Sequence, residues 1–349
     1  MRCRHWITGM TTFLVIGWAN NCQAQPYAEL DTGGLVSSIA FSRGGSTLAA
    51  VVHNPTEVVM VWNLIGPKRT HVLTKEFYLP GSMWFPDGNT LIVAYSVPKE
   101  KGGFKTRLVK WNLTKGTIDE EADVTETIGI SAISPDGKRL VSMGSYPSLI
   151  YKVRDRVTFE EIRTLEATDK GDATVIGARF SANGKRLVTV GAPGTIKVWD
   201  TDTWMELAKF KVTYQPERWT VAPKGDLVVV ALQPRTPGQF PFYEAFDVAT
   251  GKAGEQLKGL FNQLGWGIPM AFSPDGKILA APKTVKDQLY MLLWDVANDR
   301  EVGRIQLKTQ RRGWPGFQFS PDGRSIVTWH NLGDGGICLW AVPELKEKK

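Results

Sequence analysis

The sequence has few of the residues on which enzymes and disulfide-stabilised domains depend. It contains three cysteines and four histidines in 349 residues. Beyond residue 24 the only cysteine is Cys338, so residues 25–349 can form no internal disulfide, and we interpret this residue as a buried small hydrophobe. No Gly-x-Ser-x-Gly, His-Glu-x-x-His or phosphate-binding glycine loop occurs. The common hydrolase, zinc-protease and nucleotide-binding motifs are thereby excluded, and we expect neither catalytic residues nor a cofactor.

Long apolar runs are also scarce, and the one near the start predicts a targeting segment. Arg2 and Arg4 precede the uncharged, mostly apolar run Trp6–Trp18, and Cys22-Gln23-Ala24 supplies small residues for a cut. Thirteen residues are too short to cross a bilayer, which requires about 20. We therefore expect residues 1–24 to be a secretory signal peptide cleaved after Ala24, residues 25–349 to form the folded domain, and the protein to be secreted or periplasmic.

A strong concentration of one charge is lacking too. The chain has 42 basic and 35 acidic residues, for a net charge of +7, and loss of Arg2 and Arg4 would leave +5. The basic residues are dispersed along the sequence, and the adjacent arginines Arg311-Arg312 are the most notable concentration of positive charge. This pattern argues against a nucleic-acid groove and favours a mildly attractive surface for anionic partners.

What the sequence does have is a repeated turn. Ser-Pro-Asp-Gly or a variant of it recurs seven times, with its last glycine at positions 45, 88, 137, 184, 225, 276 and 323. Proline presets its φ, the Asx side chain bonds back to the backbone, and glycine accepts a positive φ, so each copy predicts the tip of a β-hairpin. Steps of 41 to 51 residues indicate repeated units that share a core with their neighbours.

A second feature recurs in each unit, an apolar stretch that ends in tryptophan or in a residue that replaces it. The residues at this position are Trp62, Trp111, Arg154, Trp199, Phe246, Trp294 and Trp340. Each unit carries four short strand signals and no sustained helical pattern. We therefore predict an all-β, seven-bladed β-propeller of four-stranded antiparallel blades, with these tryptophans packed between neighbouring blades.

The fourth unit makes a family resemblance specific. Phe180–Val190 followed by Thr195-Ile196-Lys197-Val198-Trp199-Asp200 resembles a WD (Trp-Asp) repeat, and Trp294-Asp295 and Phe246-Asp247 are similar to it. The resemblance covers roughly residues 27–342. No unit has the Gly-His dipeptide of that family, so the chain resembles a degenerate, bacterial-type member, and its Pro-Asp-Gly turns are also similar to those of TolB-like propellers. The resemblance implies a scaffold for protein–protein interactions.

The two ends of the folded domain complement each other. Tyr27–Leu30 reads as a lone strand, whereas the last unit ends at Ile337–Val342 without an outer strand. Because each end otherwise leaves an exposed edge, we predict that the N-terminal strand completes blade 7 and closes the ring.

A candidate partner-binding surface lies on one face. Units 2 and 5 have insertions, Val97–Phe104 and Gln233–Phe242, that fall on the face made by the second-to-third and fourth-to-first loops. That face also carries aromatic and cationic residues over blades 5 to 7, of the types that dominate interface hot spots: Arg218, Phe240, Phe242, Tyr243, Trp266, Arg311, Arg312 and Trp314. The alternative is that the tryptophans only wedge between blades.

A weaker candidate is a metal site. His53 and His330 both end second strands, in blades that become neighbours when the ring closes, and Asp334 follows the second of them. The alternative is that all three are turn residues. A transition metal requires a tighter set of ligands than this spacing indicates.

Two classes of function follow. The first is an exported, non-enzymatic propeller, monomeric and without a membrane span or nucleic-acid partner, that binds an unknown protein. The second is a small-ligand-binding or lactonase- or quinoprotein-like enzymatic propeller. The absence of recurring carboxylates or histidines on the inner strands favours the first.

Overall fold

The chain forms seven antiparallel β-sheets arranged as the blades of a propeller. The computed structural model describes residues 25–54, 56–75, 78–100, 102–124, 129–143, 150–156, 158–167, 169, 174–192, 194–233, 242–261, 264, 269–286, 288–307, 316–329 and 336–344. Strands in blades 1 to 3 follow the short β1 (Ala28–Leu30) and are β2 (Leu35–Phe41), β3 (Thr47–Asn54), β4 (Thr56–Asn63), β5 (Lys68–Leu73), β6 (Leu79–Trp84), β7 (Thr90–Pro98), β8 (Phe104–Asn112), β9 (Thr117–Val124), β10 (Gly129–Ile133), β11 (Arg139–Met143), β12 (Ile150–Asp155) and β13 (Glu161–Glu166).

The remaining strands form blades 4 to 7. They are β14 (Thr174–Phe180), β15 (Arg186–Ala192), β16 (Thr195–Asp200), β17 (Glu206–Lys211), β18 (Gln215–Val221), β19 (Leu227–Gln233), β20 (Phe242–Asp247), β21 (Ala271–Phe272), β22 (Ile278–Val285), β23 (Gln288–Asp295), β24 (Arg300–Gln306), β25 (Gly316–Phe319), β26 (Ser325–Trp329) and β27 (Ile337–Ala341). A single helical turn, α1 (Lys258–Phe261), follows β20. Within the described parts of the chain, no helix has the length and apolarity that a membrane crossing requires.

The N-terminal strand closes the ring, as predicted. β1 pairs antiparallel with β27, placing Ala28 opposite Leu339 and Leu30 opposite Ile337. The Tyr27 hydroxyl also lies 2.9 Å from Ser325 Oγ in the same blade. The last sheet is therefore assembled from both ends of the chain, in the order β1-β27-β26-β25.

The repeated turns form as their residues dictate. In blade 7, Ser320 Oγ donates to Asp322 Oδ1 (2.6 Å) and accepts from Ser325 N (3.0 Å), while Gly323 N donates to Ser320 O (2.9 Å). Gly323 has a φ of +71°. Asp322 Oδ1 also accepts from Arg324 N, so serine, Asx and glycine each have a defined part in one tight hairpin.

Blade 5 departs from the prediction of four-stranded blades. Its sheet contains β18, β19 and β20, whereas each of the six other sheets has four strands within the described residues. After β20 the chain begins to pair, with a bridge between Phe246 and Ala253, and then turns away into α1. Leu257 and Leu260 are fully buried between blades 5 and 6. The helical turn thus covers apolar surface in the place of an outer strand.

The blade 2 insertion, Val97–Phe104, is partly strand, although its composition suggests a loop. β7 continues to Pro98 and β8 begins at Phe104, and these two residues are paired. Val97, Pro98 and Phe104 therefore lengthen the two strands of the hairpin.

The core is divided among the interfaces between blades. One cluster of buried apolar residues fills each of the seven interfaces. The predicted packing role of the tryptophans is confirmed, because each of those that end a unit packs with the preceding blade and is at most 7% exposed: Trp62, Trp111, Trp199, Trp294 and Trp340. Burial of such large rings at every interface stabilises the ring as a whole.

Candidate partner-binding surface

The inner strand of each blade lines the central channel. These strands are β2, β6, β10, β14, β18, β21 and β25. β2 contacts β6, and β10, β14, β18, β21 and β25 contact one another in succession. Over the part of the chain that the structure describes, they carry only three charged residues, Arg179, Glu217 and Arg218. All three lie in blades 4 and 5, so the charge of the channel wall is concentrated at one place.

Arg179 is held against an aromatic ring. Its guanidinium carbon lies 5.2 Å from the centroid of Trp219 in the next blade. Gly177 leaves room for this ring, since a Cβ there would lie 3.3 Å from Trp219 Cζ2. Trp219 is buried, whereas Arg179 retains solvent access. Stacking on an indole stabilises a guanidinium and fixes its position.

The two arginines of the channel wall influence each other. The pKa of Arg179 is lowered, first because surrounding protein removes water from the guanidinium and second because Arg218 is close. An anion at this position would offset the repulsion between the two guanidinium groups.

Arg218 projects from an irregular part of β18. The register of β18 against β19 shifts between Pro216 and Arg218, and such a bulge redirects a side chain. Arg218 is exposed, and its Nη1 donates to Glu217 O at 2.9 Å. No carboxylate of the described residues forms an ion pair with it, so its charge remains available.

Two aromatic residues lie on the same face of the propeller. Tyr214 stands in the connection from β17 to β18, and Phe242 begins β20 after the connection from β19. Their rings meet edge to face, with centroids 5.4 Å apart, and both side chains are half-buried. Partly exposed aromatic residues and accessible arginines are the residue types that the centres of interfaces favour.

Tyr243 has a different position from its neighbour Phe242. It is 7% exposed and stacks on Phe261 of α1, with centroids 5.6 Å apart. Its ring belongs to the core between blades 5 and 6, and we leave it out of the candidate surface.

The remaining residues of the predicted surface lie outside the described residues. They are Phe240, Trp266, Arg311, Arg312 and Trp314, and the same holds for His330 and Asp334 of the predicted metal site. The third member of that site, His53, pairs through Nδ1 with Glu57 Oε1 at 2.9 Å across the β3–β4 hairpin. Within the described ranges, no group of three or more His, Cys, Asp or Glu side chains is placed to hold a metal.

Sequence reasoning missed Arg179 and Tyr214. A signal for Arg179 exists: it lies two residues before the serine of its turn, where the other blades have Ala40, Met83, Ala132, Thr220, Ala271 and Gln318. A charge among small and neutral residues at an inner-strand position could have been found by superposing the seven units. Tyr214 has no comparable signal, because its contact with Phe242 is tertiary.

Comparisons with known proteins agree with this architecture. Residues 159–200 match the family model described as "WD domain, G-beta repeat". The chain is 23% identical over 360 residues to the retinoblastoma-binding protein 5 homolog of Drosophila melanogaster, covering 97% of this chain and 67% of that protein. It is also similar to a chain in a crystal structure of a mitotic checkpoint complex, with a TM-score of 0.63, 16% identity and coverage of 97% and 100% of the two chains. Together with the seven-bladed fold, these matches support a WD-repeat β-propeller.

Proposed function

We propose that this protein is an exported, non-enzymatic β-propeller that acts as a scaffold for protein–protein interactions. The observation that supports the proposal is the exposed Arg218, which forms no ion pair with a described residue, together with the half-buried Tyr214–Phe242 pair. The names of the similar proteins, a retinoblastoma-binding protein and a mitotic checkpoint complex, describe protein partners and are consistent with this class of function.

The docking surface that we propose is the face made by the second-to-third and fourth-to-first loops over blades 5 to 7. Arg218 and Phe242 supply its described part, and Arg311, Arg312 and Trp314 extend it along the sequence. The opposite face consists mainly of the short polar turns that join first to second strands. Those turns are engaged in their own hydrogen bonds, as Ser320 and Asp322 show.

Affinity capture from an envelope or culture-medium extract of the source organism tests the proposal. We expect a specific protein to be retained, and Arg218→Ala to weaken its binding by about 1–3 kcal/mol in calorimetry with the purified partner. Arg312→Ala and Trp314→Ala should act in the same direction. Lys224→Ala is the matched control, because it removes one exposed positive charge from the turn at the opposite end of the same blade.

Two outcomes contradict this docking surface. One is equal binding by wild type, Arg218→Ala and Arg312→Ala. The other is a Trp314→Ala variant that melts early while the arginine variants bind normally, which would assign the tryptophan to packing. Failure to retain any protein reproducibly would count against the scaffold function itself.

Export is tested separately by the first residue of the mature chain. Mass spectrometry of protein purified from its source should give Gln25 as the N-terminus. A chain that retains residues 1–24 would contradict export.

A further inference from the structure

Blade 3 lacks the large ring that the other blades insert against their predecessor. Arg154 stands at this position, where the six other blades have Trp62, Trp111, Trp199, Phe246, Trp294 and Trp340. Arg154 Nε donates to Ser142 Oγ at 3.3 Å. Trp199 Nε1 donates in the same way to Thr189 Oγ1 at 3.0 Å, two residues along the second strand from its paired position. The guanidinium thus replaces the N–H group of an indole without replacing its volume.

A second arginine of blade 3 is equally unusual. Arg156 follows two residues later, where the other blades have Leu64, Leu113, Thr201, Val248, Val296 and Val342. Its backbone N donates to Lys138 O at 3.0 Å, which is the bond that all seven residues at this position make to the start of the second strand. Both arginines line a cavity together with residues of blade 2, among them Ile92 and Leu108.

The interface between blades 2 and 3 is correspondingly thin. Its buried apolar cluster consists, among described residues, of Trp84, Ala94 and Leu108, whereas the other six clusters each contain ten to fifteen residues. A cavity of about 560 Å³ lies beside it, and both arginines are among its lining residues. Ile92, Leu108 and Phe159 form apolar walls. The volume is within the range of small-molecule sites.

The acidic residues around this cavity already have partners. Asp87 accepts from the backbone N of Asn89 and of Thr90, both at 2.8 Å. Asp123 is paired with Lys105 at 2.5 Å and also with Arg107. Glu160 Oε2 accepts from Thr158 Oγ1 at 3.4 Å, and Glu120 Oε2 lies 3.9 Å from Lys110 Nζ. Each of the four acidic residues that line the cavity thus has a partner other than the arginines of blade 3.

Arg156, by contrast, has buried donors without an acceptor. Its Nε and Nη1 are buried and form no hydrogen bond with the residues that the structure describes. Burial lowers the pKa of Arg156, although Asp155, Asp87 and Asp136 oppose this effect. A buried N–H group without an acceptor is unfavourable, and more so when the group is charged. Arg156 also lines the cavity, where an oxyanion would meet the rest of its guanidinium.

We propose that the cavity between blades 2 and 3 binds a small aromatic carboxylate. The aromatic ring takes the space that an indole side chain fills in other blades, against Ile92 and Leu108. The carboxylate lies near the guanidinium groups of Arg154 and Arg156, which suit a planar anion. Asp87 and Arg156 place this site at the end of the blades opposite the proposed docking surface, so it stands independently of the scaffold function.

Calorimetry on the folded chain with three probes tests the ligand class. Indole-3-acetate should bind to the wild-type protein with a measurable affinity. Indole-3-ethanol, which has the ring without the charge, and acetate, which has the charge without the ring, should each bind at least about tenfold more weakly, because either loses one of the two contacts. Absence of binding by indole-3-acetate, or equal binding by the neutral analogue, would overturn the proposal.

Three variants locate the site. Arg156→Gln should weaken binding of indole-3-acetate at least about tenfold, since it removes the charge-assisted contact. Arg154→Trp should abolish binding by filling the cavity, and should raise the melting temperature. Arg43→Gln, in the exposed turn of blade 1, is the control and should leave binding unchanged. Binding that persists unaltered in Arg156→Gln overturns the assignment, and this variant decides the question even if Arg154→Trp does not fold.

Discussion

At the scale of single residues, the tryptophans that end each unit differ in how their N–H groups are satisfied. Trp199 and Trp340 donate to Thr189 and Thr328 on the adjacent second strand. Trp294 uses Asp299 instead, at 2.8 Å. Trp111 has no acceptor in hydrogen-bonding geometry, because valine occupies the position that threonine has in blades 4 and 7. Identical placement in the sequence therefore does not imply an identical hydrogen bond.

A substitution at Thr189 measures the value of this bond. Thr189→Val keeps the volume but leaves the buried Trp199 N–H without an acceptor, and we expect the free energy of unfolding to fall by about 1–3 kcal/mol. Thr189→Ser retains the hydroxyl and should lose about 1 kcal/mol through the missing methyl group. Urea denaturation compares the two. A valine variant more stable than the serine variant would show that the hydrogen bond contributes nothing.

At the scale of elements, six of the seven repeated turns keep one backbone conformation although their sequences differ. Six of the seven turns place their last glycine at a φ between +69° and +75°, and that glycine donates to the carbonyl three residues earlier. The exception is blade 2, where Phe85 replaces serine and Gly88 does not adopt a positive φ. There Asp87 alone organises the turn, through Asn89 N and Thr90 N.

Two glycine substitutions test this difference. Gly323→Ala forces a Cβ into the left-handed region, and we expect it to cost about 1 kcal/mol of stability. Gly88→Ala is the matched control, because no atom lies within 4 Å of the added Cβ and the backbone is not left-handed, so its effect should be near zero. Equal losses in chemical denaturation would refute the conformational explanation.

At the scale of the whole molecule, stability depends on closing the ring. β1 contributes only three residues, but Leu30 is 4% exposed and packs in the cluster that joins blades 7 and 1. Without β1, the edge of β27 would be unpaired. A closed ring is the means by which a propeller avoids exposed sheet edges.

Removal of residues 25–31 should therefore destabilise the entire ring. We expect a loss of roughly 3 kcal/mol or more, since burial of Leu30 alone is worth about 1.5–3 kcal/mol and the edge of β27 loses its hydrogen bonds. The measurement is the melting temperature of the truncated chain. Removal of residues 344–349, a charged tail that the sequence predicts to be solvated, is the control and should change it little. If the melting temperature were unchanged without residues 25–31, closure of the ring by β1 would not contribute to stability.

The candidate surface shows how far sequence reasoning reached and where it stopped. Phe242, at the start of β20, is half-buried, but Tyr243, the next residue in the chain, is buried. Adjacent residues of a strand point to opposite sides, and which side is covered depended on α1. Nothing local in the sequence marks Lys258–Phe261 as the replacement for an outer strand.

The sequence by itself determined the number of blades, the turns, the packing of the tryptophans and the closing strand. It could do so because each depends on local chemistry or on a period repeated seven times. Only the tertiary structure decided that Arg179 stacks on Trp219, that blade 5 has three strands, and that Arg154 and Arg156 border a cavity. Each of these depends on what a neighbouring blade presents across the interface, and residues that meet there are about one repeat apart in the chain.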